Sequence, residues 1–435
     1  MGKTFFAVLE RLGESKHLKA VRDGIVAVLP LIIAGSFFLL LGQLPGAEPK
    51  KDWSSVDAFL NRSSFTHSAF QWYVLHHSIF LTPYFLTMDV ISLYVAFSTA
   101  AALAKLYQFD PISNGLMGAG AFLLTMVPKE IGKQGLFLPL KEMGGTGLFL
   151  AIFFGIISVE VYRFWRKLHW IKLPETVPSS VLEAFYSMFP FLSLCAGIWV
   201  LRDLIGINLQ AEFLVVLKPI EVLGDTLTAV ILINLIIQLI WFIGVRGEAV
   251  VFTIMLPLWL DYLQKNANAV ALGHPAPYIT AFPFYQWFVW IGGTGSTLGL
   301  CFLLLMSRST TLKSIGKVGI IPSLCNINEP VVFGMPIVLN PTMFIPFVLA
   351  PVSAGVLAYL AFQFHLVHRP YLWVPWTLPS PIGAFLACGY DWRAIVLNLV
   401  ILFAATAIYY PFFKALEKKC LETEKKGLIE ESVES

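Results

Sequence analysis

The chain has 435 residues, of which 57% are hydrophobic and only 13% charged, and its mean hydropathy is +0.74; soluble domains are not composed this way. Its net charge of +3 is small and spread over several loops, which gives no support to nucleic-acid binding. The composition predicts an all-α, polytopic membrane protein.

Residues 1–24 mix Phe5, Phe6, Val8, Leu9 and Leu12 with Lys3, Arg11, Lys16 and Lys19, which predicts a cytosolic helix lying on the lipid headgroups. The first apolar run starts at Ile25, is followed by Gly42-Gln43-Leu44-Pro45-Gly46, and reads as a spanning helix, with no cleavable signal peptide evident. Crossing a hydrocarbon core of about 30 Å takes about 20 helical residues. Runs of that order lie at 25–42, 79–104, 146–164, 181–201, 225–245, 281–306, 341–363 and 394–413. With shorter or proline-interrupted runs at 112–127 and 371–390, about ten transmembrane helices are expected. Arg163, Arg166, Lys167 and Lys172 follow one run, and Lys414, Lys418, Lys419, Lys425 and Lys426 follow the last. The positive-inside rule therefore places both termini, including the tail 414–435, in the cytoplasm.

Organisation changes along the chain. Residues 25–204 alternate plain apolar runs with short loops and one longer polar connection, Gln43 to Ala69, and read as scaffold. From 205 to 413 the runs are cut by Lys218-Pro219, Gly244 to Gly247, Pro257, the Gly273-to-Pro283 loop, Gly292-Gly293 and the 322–346 segment. Transporters use such interruptions to bring backbone groups to a midplane site, so 205–413 is expected to be the substrate-binding transport domain. Two re-entrant hairpins are expected, near 248–263 with Pro257 and near 320–339 with Pro322, Pro330 and Pro336. Four of the five cysteines, Cys195, Cys301, Cys325 and Cys388, lie in or beside apolar segments, and no pair has zinc-ligand spacing. They read as structural thiols; no metal and no cofactor is expected.

Within 323–341 a carboxylate and three amides, Asn326, Asn328 and Asn340, stand among three prolines. An acid enters such a chain only where it is buried in protein or faces water. Pro330 disfavours a helical conformation at Glu329, and Asn326, Asn328 and Glu329 together suit a polyhydroxylated ligand. The alternative is a structural carboxylate capping a helix N-terminus.

Asn326-Ile327-Asn328-Glu329-Pro330-Val331-Val332-Phe333-Gly334-Met335-Pro336 resembles the signature of the lactose/cellobiose family of phosphotransferase-system sugar permeases, the enzyme IIC components. Thr280-Ala281-Phe282-Pro283-Phe284, Ile291-Gly292-Gly293-Thr294-Gly295-Ser296-Thr297-Leu298, Pro375-Trp376-Thr377-Leu378-Pro379 and Gly389-Tyr390-Asp391-Trp392-Arg393-Ala394 extend the resemblance over most of the chain. It implies a homodimeric protein of the bacterial cell membrane, with residues 25–204 carrying the dimer contact and the second half holding a disaccharide between two hairpins. It further implies alternating access, and phosphorylation of the sugar 6-hydroxyl by a cytosolic IIB protein that draws phosphate through IIA, HPr and enzyme I. Glu329 is then the expected catalytic carboxylate.

One position departs from that family's cellobiose- and chitobiose-type pattern. A histidine is expected where the chain reads Trp241-Phe242-Ile243-Gly244-Val245-Arg246-Gly247-Glu248. A guanidinium is no base near neutral pH, so proton acceptance falls to Glu329 or Glu248. Arg246 either binds sugar hydroxyls or the phosphoryl group, or pairs with Glu248 or Glu329 as a neutralising cation. Trp376, with Trp373, is expected either to stack on a sugar face or to sit in the interfacial belt. Gly292, Gly293 and Gly295 lack the lysine and preceding strand of a phosphate loop and read as a site of close helix packing. His76, His77 and His274 read as surface or packing residues, and Asp391 with Arg393 as a helix start. Two rival functions stay open: a sugar facilitator or ion-coupled transporter uncoupled from phosphate, which Arg246 favours, and a membrane sensor, for which an output domain is lacking.

Overall fold

The computed structural model describes residues 15–42, 72–73, 75–127, 138–168, 179–242, 247–335, 337 and 341–434. The expected headgroup segment around Phe5 to Leu12, the Gln43-to-Ala69 connection, Lys172, Arg246 and Pro336 lie outside the described residues. All regular structure among the described residues is helical. The chain divides into two compact units, one of Met1–Val222 with Phe252–Gln264, the other of Leu223–Val251 with Lys265–Ser435.

The first unit contains α1 (Lys16–Gly42), α2 (Leu81–Met88), α3 (Ile91–Leu106), α4 (Pro111–Met126), α5 (Leu148–Lys167) and α6 (Ser179–Trp199). Small residues set the helix separations: a Cβ on Gly24 would lie 2.6 Å from Thr99 Oγ1, and one on Gly118 2.7 Å from Ala100 Cβ. Without a solvent that drives helices together, close van der Waals contact of this kind is what holds them. Asp110 starts α4 by accepting the Ser113 N–H at 2.6 Å, with Pro111 at the first helical position, where its missing N–H costs nothing.

Six helices among the described residues are long and apolar enough to cross a bilayer, or seven if Leu209–Gly224 and Leu227–Trp241 form one bent span. The remaining expected spans differ in instructive ways. The 112–127 run is the shorter α4, of 16 residues. The 281–306 run is broken: one turn at Phe282–Phe284, a wide turn at Tyr285–Val289, a glycine loop, then Leu298–Leu305. The 371–390 run is irregular backbone as far as Pro379 and then a short helix, Ser380–Ala387. Of the two expected hairpins, 248–263 lies within a single helix, Gly247–Ala271, which runs through Pro257. The other contains a turn between a helix ending at Leu324 and a short helix starting at Glu329.

The second unit contains α7 (Leu227–Phe242), α8 (Leu298–Leu305), α9 (Thr310–Leu324), α10 (Glu329–Gly334), α11 (Pro341–Gln363), α12 (Ser380–Ala387) and α13 (Trp392–Glu434). Irregular backbone at membrane depth is tolerated only where other groups satisfy it, and here side chains do so. Asp225 accepts from the N–H of Ile279 at 3.0 Å and of Thr280 at 2.7 Å. Asn266 donates to Tyr278 O at 2.8 Å and Pro370 O at 2.9 Å. Asn398 donates to Trp287 O at 2.6 Å, and Tyr409 to Gly295 O at 2.7 Å. At its far end α13 holds the turn before α9: Glu417 accepts from Ser307 Oγ and Arg308 N, and Glu424 from Ser309 Oγ and Thr311 N.

Asp391 precedes α13 and is buried, accepting from Arg393 Nε and Nη2 at 2.8 Å each and from the N–H of His368 at 2.9 Å. Burial raises its pKa, but the Arg393 side chain and the two backbone N–H groups outweigh that and hold it below the usual carboxylate value. A lowered native pKa means this contribution to stability is complete above the unfolded carboxyl pKa of about 3.9 and is lost as pH falls through the native one. Thermal scans against pH should show that acid-side loss in the wild type and a diminished one in Asp391→Asn.

Candidate functional site

The expected site residues that are described all belong to the second unit. Glu329 is the first residue of α10, half-buried, with Pro330 next and Asn328 before it. Phe333 lies four residues further on, one turn along the same face, and its ring packs 6.0 Å from that of Trp241 near the end of α7. Trp241 is buried and its indole N–H donates to the Glu248 carboxylate. One tryptophan thus links the helix that starts at Glu329 to the helix that carries Glu248. A Cβ on Gly247 would run into the Ile237 carbonyl, so only glycine lets the Gly247–Ala271 helix begin this close to α7. Arg246 falls just before, outside the described residues.

The turn ahead of Glu329 is fixed by its amides. Asn326 has a positive φ of 60°, a region asparagine tolerates better than most residues. Its Nδ2 donates to Trp376 O at 2.8 Å and Leu378 O at 3.0 Å. Its Oδ1 accepts from Gly292 N at 3.1 Å and Ser380 Oγ at 2.8 Å. Asn328, which is buried, donates to Thr294 O at 2.5 Å and to Thr297 Oγ1 at 3.1 Å. The glycine loop these bonds grip has positive φ at Gly292 (76°), Gly293 (99°), Gly295 (94°) and Ser296 (54°).

The two tryptophans differ. Trp373 is buried and stacked on Phe282, with ring centroids 4.3 Å apart, whereas Trp376 is 50% exposed. His76 stacks on Trp72, His274 is exposed in its loop, and Asp391 pairs with Arg393. Sequence reasoning gave no part to Ser380, Trp241 or Gln238. Ser380 is marked only by the prolines on either side of it, and Trp241 was read as part of a motif without a task. Gln238, one turn before Trp241, is fully buried, and neither end of its amide is paired among the described residues.

The arrangement is chemically specific. Glu248 accepts from a buried indole, Glu329 opens the helix whose Phe333 ring packs on that indole, an exposed aromatic ring stands on an adjoining loop, and proline and glycine turns lie between apolar helices. Such a site offers acceptors for hydroxyl groups, a flat surface for a sugar face, and a base for proton removal.

Known proteins are similar to this chain over most of its length. The family model described as "Phosphotransferase system, EIIC" matches residues 22–351. The cellobiose-specific EIIC component of the phosphotransferase system of Geobacillus stearothermophilus is 35% identical over 95% of this chain and 92% of its own length. The lichenan permease IIC component of Bacillus subtilis is 33% identical over 95% and 92%. A lactose-specific EIICB component of Streptococcus mutans is 30% identical over 98% of this chain and 73% of its own length. Among solved structures, the crystal structure of the transporter ChbC, the IIC component of the N,N'-diacetylchitobiose-specific phosphotransferase system, is similar with a TM-score of 0.84. It is 31% identical and covers 97% of this chain and 98% of that one.

Proposed function

The chain belongs to the phosphotransferase-system EIIC family of membrane sugar permeases, and from that premise we propose that it imports a disaccharide of the cellobiose, chitobiose or lactose type as the sugar's 6-hydroxyl is phosphorylated by a IIB partner. The observation that carries this reading is the link through Trp241 between the helix that starts at Glu329 and the helix that carries Glu248, in a chain otherwise made of apolar helices. The names of the relatives support a disaccharide or oligosaccharide cargo, and the EIICB relative supports a IIB partner.

In the proposed reaction the 6-hydroxyl oxygen attacks the phosphorus of a phosphocysteine on IIB. The O–P bond forms, the S–P bond breaks, the thiolate leaves, and the hydroxyl proton passes to Glu329. Trp376 stacks on a sugar face, Glu248 and Asn328 Oδ1 accept from its hydroxyls, and Arg246 offsets the phosphoryl charge. The protein works as a homodimer in the bacterial plasma membrane with both termini in the cytoplasm, and passes its cargo by alternating access of the second unit, the 320–339 segment serving as a re-entrant hairpin.

Membrane vesicles given labelled cellobiose, diacetylchitobiose or lactose should accumulate sugar phosphate only when phosphorylated IIB is enclosed. Uptake of unmodified sugar at full rate without IIB would instead establish the facilitator, the reading that arginine at 246 favours. Arg246→His restores the expected motif and should raise phosphorylation of a chitobiose- or cellobiose-type sugar, measured as sugar phosphate formed per unit time.

A further inference from the structure

We infer that Asn326 is a positioning residue rather than a sugar ligand, a hub that joins the Glu329 turn, the glycine loop and the Trp376 loop into one rigid wall of the site. This inference rests on the functional reading above for its consequences, but not for its geometry.

An asparagine side chain has two donors and an acceptor oxygen with two lone pairs. In Asn326 all four are taken: both N–H groups by the carbonyls of Trp376 and Leu378, and both lone pairs by Gly292 N–H and Ser380 O–H. The partners also fix the orientation, because a flipped amide would set its NH2 against the Gly292 N–H and its oxygen against two carbonyls. A saturated amide cannot bind a hydroxyl without releasing one of these protein groups. Asn328 differs: both of its N–H groups are engaged, but no bond to its Oδ1 is recorded among the described residues, so it keeps an acceptor for cargo. The positions of the four partners define what the hub controls. Trp376 carries the exposed ring, Ser380 begins α12, Gly292 opens the glycine loop, and Glu329 follows three residues after Asn326 itself. Loss of the hub therefore frees the base and the stacking ring together.

Asn326→Gly separates the bonds from the backbone, since glycine keeps a positive φ at little cost and deletes all four contacts. Its phosphorylation kcat should fall on the order of a hundredfold, the usual effect of a misplacement of about 1 Å in a reacting group. Asn326→Asp keeps the two acceptor contacts, loses both donors and should fall between Asn326→Gly and wild type. The deciding readout is spectroscopic. In protein labelled with 5-fluorotryptophan, the 19F line of Trp376, assigned by its absence in Trp376→Phe, should shift or split in Asn326→Gly, while the Trp199 line stays fixed. Should Asn326→Gly not fold, Ser380→Ala, which removes one of the four bonds, must displace the same line in the same direction. An unmoved Trp376 line with weakened sugar binding and a normal phosphorylation rate for bound sugar would overturn the hub and make Asn326 a ligand. If wild type shows no IIB-dependent phosphorylation, the functional reading fails, yet the 19F comparison needs neither sugar nor partner and still decides the hub.

Discussion

Glu329→Gln is expected to lower IIB-dependent phosphorylation by about 10²–10⁴-fold, the usual worth of a positioned general base. The sugar dissociation constant should rise less than about tenfold, because the amide keeps the size of the carboxyl and much of its hydrogen bonding. The structural reason lies in where the residue sits. Glu329 opens α10 behind a turn whose amides are fixed to three other segments, so the oxygen position is set by backbone and not by a mobile side chain alone. Titration calorimetry with the disaccharide and a phosphorylation assay on the same preparation check the two numbers separately. A variant that phosphorylates within a few-fold of wild type would remove Glu329 from the chemistry and leave it as a cap on a helix N-terminus.

Gly293→Ala should be strongly destabilising for a change of one methyl group. Gly293 has φ of 99°, and a Cβ there would lie 2.5 Å from Asn328 Cγ. The backbone strain costs about 1–3 kcal/mol and the overpacking a further 1–3 kcal/mol or so. In detergent, the midpoint of thermal unfolding should fall by about 5–20 °C at the usual conversion for large domains. Combining it with Asn328→Gly removes the clash but not the strain, so the double variant should recover part of the loss. A midpoint within a degree of wild type for Gly293→Ala would show that the loop relaxes freely, and that Asn328 is not held by close contact.

Hydropathy located the long helices because lipid solvation depends on composition summed over a turn or more, and residues such as Ile25 to Gly42 or Ala394 to Phe413 need nothing else to be recognised. The same measure misread 281–306. Its composition is that of a spanning helix, but Gly292, Gly293, Gly295 and Ser296 all take positive φ, and hydropathy carries no information about φ. Pro257 was read as a break, yet the helix from Gly247 continues through it, since neighbouring groups in a membrane protein can satisfy the carbonyl that a proline leaves free. In the site, the acid at 329 was visible because a charge in a lipid-built chain calls for a reason. Asn326 was legible as a polar residue and illegible as a hub. Its four partners come from segments 34 to 54 residues away, and no local pattern records them.

The grip of α13 on the turn before α9 bears on how the protein can be handled. Glu417 and Glu424 occupy the free N–H groups at Arg308 and Thr311, and α9 leads directly into the turn that ends at Glu329. A fluorescent reporter or affinity handle joined beyond Glu424 leaves those carboxylates in place. One spliced in ahead of Glu417 would loosen the base of α9 and disturb transport from a point far from the sugar.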